Sequence, residues 1–210
     1  MKQQVRSILT TLLFILTSLS LAIITTLLTS PIIYRLANQF FHWQDQVGIS
    51  QEALLDNYQR MIDYLIFPAY TALELPDFSF STGGLQHFAE VKLLFQLTMV
   101  VGIVCIILSG FTIYHLRHRK RKVPYLKYWL KGAFVLPLLL LFVFFIAFDQ
   151  VFISFHHLLF RNDLWLFDPL TDPIIQVLPQ FFFMILFIVT IIYYAIYLLA
   201  IQWSFYHKLK

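Results

Sequence analysis

The stretch Gly132–Phe155, GAFVLPLLLLFVFFIAFDQVFISF, decides the class of fold. Its 24 residues carry one charge, Asp149. A helix needs about 20 apolar residues to cross a hydrocarbon core, and three further stretches are long enough: Ile8–Tyr34, Val91–Leu116 and Phe181–Phe205. The whole chain agrees with this reading. Hydrophobic residues make up 60% and charged residues 12% of its 210 positions, against about 45–50% and about 25% in an average soluble domain. A water-soluble domain could not cover so much apolar surface, and a disordered chain would be polar. The expected fold class is all-α: a four-helix transmembrane bundle with a small helical extracellular cap, residues 1–210 forming one integral membrane domain. Lys2 and Arg6 give the first stretch a basic start like that of a signal peptide. It is too long for one and lacks a small-x-small cleavage site, so it reads as a retained span.

Charge sets the expected orientation. Lys2 and Arg6 precede the first span; Arg117, Arg119, Lys120, Arg121, Lys122, Lys127 and Lys131 lie between the second and third; Lys208 and Lys210 follow the fourth. These are 11 of the 15 basic residues, and none of the 11 acidic residues shares that side. Short loops rich in Lys and Arg stay in the cytoplasm. Both termini are therefore expected inside a plasma membrane, with segments 35–90 and 156–180 outside. The basic run serves topology and contact with anionic lipids, so the net charge of +4 calls for no nucleic acid. Cys105, the only cysteine, excludes an internal disulfide and a four-cysteine metal site.

Within the larger outer segment, Ser50 can cap a helix, Glu52 suits its first turn and Pro68 stops it. Leu54, Leu55, Tyr58, Met61, Ile62 and Leu65 share one face; Glu52, Asp56, Gln59, Arg60 and Asp63 share the other. This predicts an amphipathic helix that lies in the interface or covers the bundle.

Polar residues gather at the same outer boundary. His87 precedes the second span in TGGLQHFAEVK (82–92), where Thr82 or the glycines could open the helix, and Glu90 follows three residues on, close to the same face. His156 and His157 follow the third span, next to a loop holding Asn162, Asp163, Trp165 and Asp168. A lone interfacial histidine is ordinarily a satisfied polar tip; histidines from two spans at one level suggest a site. Lys92 and Asp149 should lie one to two turns deeper and are expected to pair, because ionisable groups in a bilayer face a partner or a wet cavity. Snorkelling of Lys92 to the surface is the plainer alternative.

Several chemistries are missing. The chain has no Gly-x-Ser-x-Gly elbow, no His-Glu-x-x-His metal helix and no Gly-rich phosphate loop. The spacing of His157 and Asp163 is wrong for the His-x4-Asp of glycerolipid acyltransferases, and mid-span Cys105 stands where a thiolate is disfavoured. What remains is proton transfer by histidine on a lipidic or lipid-anchored substrate. Three other readings stay open from the residues alone: a haem-binding bundle, a zinc site using His87, His156 and an acid, and a non-enzymatic membrane sensor or scaffold.

At these residues the chain resembles the lipoprotein intramolecular transacylases of Gram-positive bacteria. The likeness covers nearly the whole chain and is carried by NYQRMIDYL (57–65), HFAEVK (87–92) and above all FHHLLFRNDLWLFDP (155–169), followed by DPII (172–175) and PQFF (179–182). Glu90 stands where the family usually has Asp, which keeps the carboxylate, and Leu159 stands where it has a second aromatic, which alters only packing. The resemblance implies a bundle with a small outer cap and a catalytic pair of histidines, here His87 and His156, with His157 the second choice beside His156. Glu90, Lys92, Asp149, Asn162, Asp163 and Trp165 would support the site or bind substrate. The implied substrate is a lipoprotein whose N-terminal cysteine bears a thioether-linked diacylglycerol. Its sn-2 acyl chain moves to the cysteine's own α-amino group, giving the lyso-form. No metal, cofactor, second lipid substrate or obligate protein partner is implied.

Overall fold

The computed structural model describes residues 2–118, 123 and 125–206. Among them are seven α-helices and no strand: α1 (Lys2–Phe41), α2 (Gln44–Val47), α3 (Gln51–Ile66), α4 (Thr82–His118), α5 (Leu126–Gly132), α6 (Val135–Leu159) and α7 (Gln180–Tyr206). A single 3-10 turn spans Pro173–Gln176. Four helical stretches are long and apolar enough to cross a membrane: Gln3–Phe41, Thr82–His118, Leu126–Leu159 and Gln180–Ser204. Arg119, Lys120, Arg121, Lys122, Lys208 and Lys210 of the basic runs lie outside the described residues.

The helices overrun the apolar stretches that announce them. Hydropathy measures the length immersed in lipid, whereas helix ends are fixed by caps and turns. Thus α1 runs seven residues past Tyr34, to Phe41, and α4 starts nine residues before Val91, at Thr82. Pro31 lies inside α1. It cannot donate to the Leu27 carbonyl four residues back. The Ser30 hydroxyl donates to that carbonyl at 2.8 Å, so the acceptor is not stranded.

The chain forms two compact units, and every spanning stretch contributes to both. The first comprises Met1–Thr25, Thr98–Ile146 and Ile188–Lys210. Its core is Phe14, Ala22, Leu116, Leu126, Leu130, Ala133, Tyr194 and Leu198. Small residues let α1 and α4 approach: a side chain at Gly102 would meet Ser20 Cβ at 3.2 Å and Ile24 Cδ1 at 3.1 Å. Nearby, the Thr17 hydroxyl lies 2.7 Å from that of Ser109. Tyr194 donates to the Ala133 carbonyl at 3.1 Å, satisfying backbone exposed by the break between α5 and α6.

The second unit comprises Thr26–Leu97 and Ala147–Phe187. Its first residue in α6, Ala147, leaves helical geometry (φ −140°, ψ 45°) and kinks the helix. The core here is aromatic. The Tyr34 and Tyr58 rings stack 4.0 Å apart, Phe182 stands edge-on to both, and Trp43 packs on Tyr34 and Phe182. The Tyr34 hydroxyl donates to the Val177 carbonyl at 2.7 Å. Burial pushes the Tyr58 hydroxyl well above the usual phenol range, so the stack stays uncharged.

In α3 the Ser50 hydroxyl accepts from the Ala53 N–H at 3.1 Å, as the cap demands. Pro68 holds Phe67 in extended backbone (φ −91°, ψ 122°) and ends the helix after Ile66. Leu54, Tyr58, Met61, Ile62 and Leu65 are buried as the pattern predicts, and Asn57 joins them. Asn57 donates to Asp77 Oδ2 at 2.6 Å and to the Ala53 carbonyl at 2.7 Å. A buried amide is tolerated on the apolar face because its donors are satisfied.

Candidate active site

The N-terminus of α4 presents the first half of the site. The helix opens at Thr82, one of the starts the sequence offered, and its cap is Ser81, whose hydroxyl accepts from Gly84 N–H at 2.9 Å. The Ser81 N–H donates to Asp172 Oδ1 at 2.8 Å. Asp172 is only 2% exposed, and its other oxygen accepts from the Thr171 hydroxyl at 2.7 Å. A Cβ at Gly84 would lie 2.1 Å from Asp172 Oδ1, so only glycine admits this carboxylate. The helix start is thereby tied to the loop after α6, which sets the height and rotation of the next turn, where His87 stands.

His87 is 8% exposed among aromatic edges: Phe160 at 4.7 Å, Phe167 at 5.6 Å and Phe88 at 6.4 Å between ring centroids. Its Nδ1 is buried and has no hydrogen-bond partner. The His156 ring lies 6.1 Å from it, centroid to centroid. His156 Nδ1 is 2.8 Å from the Phe152 carbonyl one helical turn back. A carbonyl only accepts, so Nδ1 carries the hydrogen and the neutral ring leaves its Nε2 lone pair free. Trp165 lies 4.7 Å from His156 at 30° between planes, and its indole Nε1 is buried with no partner.

Other candidates take humbler places. His157 is exposed and stands edge-on to Trp165 at 5.5 Å. Asn162 Nδ2 donates to both oxygens of Glu90, at 3.1 and 3.2 Å, while Gln86 donates to Oε1 at 3.2 Å. Asn162 Oδ1 also accepts from Leu164 N–H at 3.1 Å, which shapes the loop. Glu90 therefore braces the loop that carries Trp165. Asp163 is exposed.

The expected pairing of Lys92 with Asp149 does not form. Lys92 Nζ donates to the Phe67 carbonyl at 3.2 Å and to that of Tyr70, and lies 4.2 Å from the centre of the Tyr64 ring. Asp149 is exposed and accepts from Gln180 Nε2 at 3.2 Å. Each charge has a different partner: carbonyls of the turn after α3 for one, an amide at the start of α7 for the other. Equal depth on two spans does not specify which faces meet. Among the described residues, no three His, Cys, Asp or Glu side chains gather as a metal site.

Sequence reasoning passed over Asn57 and Asp172 except as letters in longer motifs, and over Phe160, Phe167 and Gln180 in the same way. The one local signal was the Gly83-Gly84 pair, which marks a close approach without naming what approaches.

Four apolar spans define a multi-pass membrane protein, in which a buried imidazole, His87, and a half-buried one, His156, stand together among aromatic rings. The profile of the lipoprotein intramolecular transacylase Lit family matches residues 8–183, and the chain belongs to that family. It is accordingly a membrane-integral acyltransferase that modifies lipoproteins, which decides between an enzyme and a sensor or scaffold. The in meso structure of the membrane-integral Lit of Bacillus cereus is 26% identical, covers 99% of this chain and 95% of its own, and superposes with a TM-score of 0.84. Two structures of the same bacterial protein with one histidine replaced, by arginine or by alanine, each superpose with a TM-score of 0.82 at 26% and 25% identity; they cover 99% and 98% of this chain and 92% and 93% of their own. No curated protein matches the chain.

Proposed function

We propose that the chain moves the sn-2 acyl group of a diacylglyceryl-cysteine lipoprotein to the α-amino group of that cysteine, with His87 and His156 managing the protons. The observation that carries this reading is the pair itself: rings 6.1 Å apart, one buried and one with its Nδ1 hydrogen committed to the Phe152 carbonyl. An α-amino group has a pKa of about 7.7–8.0 and is mostly ammonium at neutral pH, so it must lose a proton before it can attack. The Nε2 lone pair of His156 takes that proton. The freed amine attacks the ester carbonyl, and His87 takes the second proton from nitrogen and delivers it to the departing glyceryl oxygen. An amide forms, a secondary alcohol is released, and the proton on His156 returns to solvent. Nucleophile and ester belong to one molecule, so the aromatic walls need only fold the head group into a near-attack arrangement. No cofactor or second lipid enters the balance.

Glu90 and Asn162 hold the loop in place, Lys92 secures the turn after α3, and Asp149 steadies the start of α7. His157 and Asp163, both exposed, meet the lipoprotein's polar head in this reading. The charge asymmetry supports cytoplasmic termini and a site open to the outer face of the plasma membrane, with membrane lipids and the lipoprotein as its partners. Residues 1–210 then serve as one integral membrane domain.

The test is the N-terminal peptide of a reporter lipoprotein, analysed by mass spectrometry. Alanine at His87 or at His156 should lower conversion to the lyso-form by about 100- to 10,000-fold, the usual weight of one acid–base residue. The double variant should be scarcely worse than the poorer single one, since both act on one proton inventory. His42→Ala and His115→Ala should leave conversion intact. Conversion should fall on the acid side, as protonation of His156 removes its lone pair. Near wild-type turnover in the double variant would overturn the reading.

A further inference from the structure

An acyl transfer through a tetrahedral intermediate places a negative charge on the former carbonyl oxygen, and water-excluded sites meet that charge with fixed N–H or O–H donors. The two histidines above are occupied with the nitrogen and the glyceryl oxygen. The oxyanion still needs a donor. Indole is a donor only, and a buried indole N–H ordinarily finds an acceptor. The Nε1 of Trp165 is buried and has none. Its ring lies 4.7 Å from His156 and 6.4 Å from Phe152, on the loop that Glu90 and Asn162 brace.

We propose that the indole N–H of Trp165 is the oxyanion donor of the acyl transfer: it hydrogen-bonds the former sn-2 carbonyl oxygen in the tetrahedral intermediate. This rests on the reading of His87 and His156 given above. As the amine nitrogen bonds to the carbonyl carbon, the carbonyl π pair moves onto oxygen, and the Trp165 N–H meets the charge without giving up its proton. On collapse that pair reforms the C=O bond, the bond to the glyceryl oxygen breaks, and the proton held by His87 goes to the glyceryl oxygen. The carbonyl oxygen that substrate brings to Trp165 becomes a far better acceptor once it carries the negative charge, which makes the contact stronger in the transition state than in the ground state. A donor fixed in advance is also spared reorganisation during the reaction. The bracing of the loop by Glu90 and Asn162 supplies that fixity.

The test removes the N–H and keeps the ring. Replacing Trp165 by 3-benzothienylalanine exchanges N–H for sulfur at nearly unchanged shape, and Trp165→Phe removes the N–H with a smaller aromatic ring. Turnover of a purified diacylglyceryl lipopeptide would be followed by mass spectrometry, with the thermal midpoint as a check on fold. Loss of a single oxyanion donor typically costs about 100- to 1,000-fold in kcat. Both variants should lose about that factor while KM stays within a few-fold of wild type. Should Trp165→Phe not fold, the sulfur isostere decides alone. A benzothienyl enzyme with near wild-type kcat, or one changed only in KM, would overturn the proposal and assign Trp165 to packing. That result leaves the histidine reading standing, whereas activity in the double histidine variant would remove the reading itself.

Discussion

Gly84 shows how one missing side chain holds the site together. Alanine there would thrust its Cβ to 2.1 Å from Asp172 Oδ1, and either the carboxylate or the helix start must move. Overpacking of this kind typically costs about 1–3 kcal/mol, so Gly84→Ala should lower the thermal midpoint and reduce turnover in parallel. An unchanged midpoint would show that the α4 start is not pinned by Asp172. Asn57 carries a second residue-scale consequence. Alanine there removes the 2.6 Å donor to the exposed carboxylate of Asp77, which water can then solvate, so the cost is that of a net hydrogen bond, about 0.5–1.5 kcal/mol. Asn57→Ala should therefore destabilise by about that amount in chemical or thermal unfolding. A cost below a few tenths of a kcal/mol would reduce this contact to a surface bond. Neither contact was legible in the sequence. Gly84 advertised room and Asp172 advertised charge, but a pairing across 88 residues of chain depends on loop geometry that no local pattern encodes.

Among elements, α3 was the most readable, since a cap, a 3.6-residue apolar repeat and a proline stop all state the same thing. Its apolar face packs Tyr58 onto Tyr34 and Phe182, while Gln59 and Asp56 stay exposed. Ile62→Asp should thus impair turnover and stability far more than Gln59→Asp, measured on purified protein; equal effects would leave no case for a docked face. The Lys92–Asp149 pairing failed at this scale because hydropathy gives depth along a helix and leaves its rotation open. The contacts observed predict no coupling between the two residues. The effects of Lys92→Met and Asp149→Asn on thermal stability should add within about 0.3–0.5 kcal/mol, as independent sites do. A double variant markedly less damaged than that sum would restore the pair.

For the whole molecule, the four spans were plain from the sequence because the cost of exposing backbone to lipid leaves helices as the only solution for such apolar stretches. Orientation rests on charge alone and has its own test. Cysteines placed singly at Gln59 and at Leu170, which is 89% exposed, should react with impermeant thiol reagents in intact cells, and one at Arg119 should not. Buried Cys105 contributes little background. Labelling at Arg119 with silence at Gln59 would invert the topology.

The central claim, transfer of the sn-2 chain within one lipoprotein molecule, meets its most direct test in a reporter lipopeptide whose sn-1 and sn-2 chains differ in mass. After incubation with the purified protein in lipid free of either chain, tandem mass spectrometry of the N-terminal cysteine reads which chain sits on nitrogen. The account predicts an amide bearing the sn-2 chain and a thioether glycerol that keeps only the sn-1 chain, with no product when His87 and His156 are both alanine. An amide bearing the sn-1 chain or a chain drawn from the surrounding lipid, or sn-2 product that persists in the double variant, would contradict it.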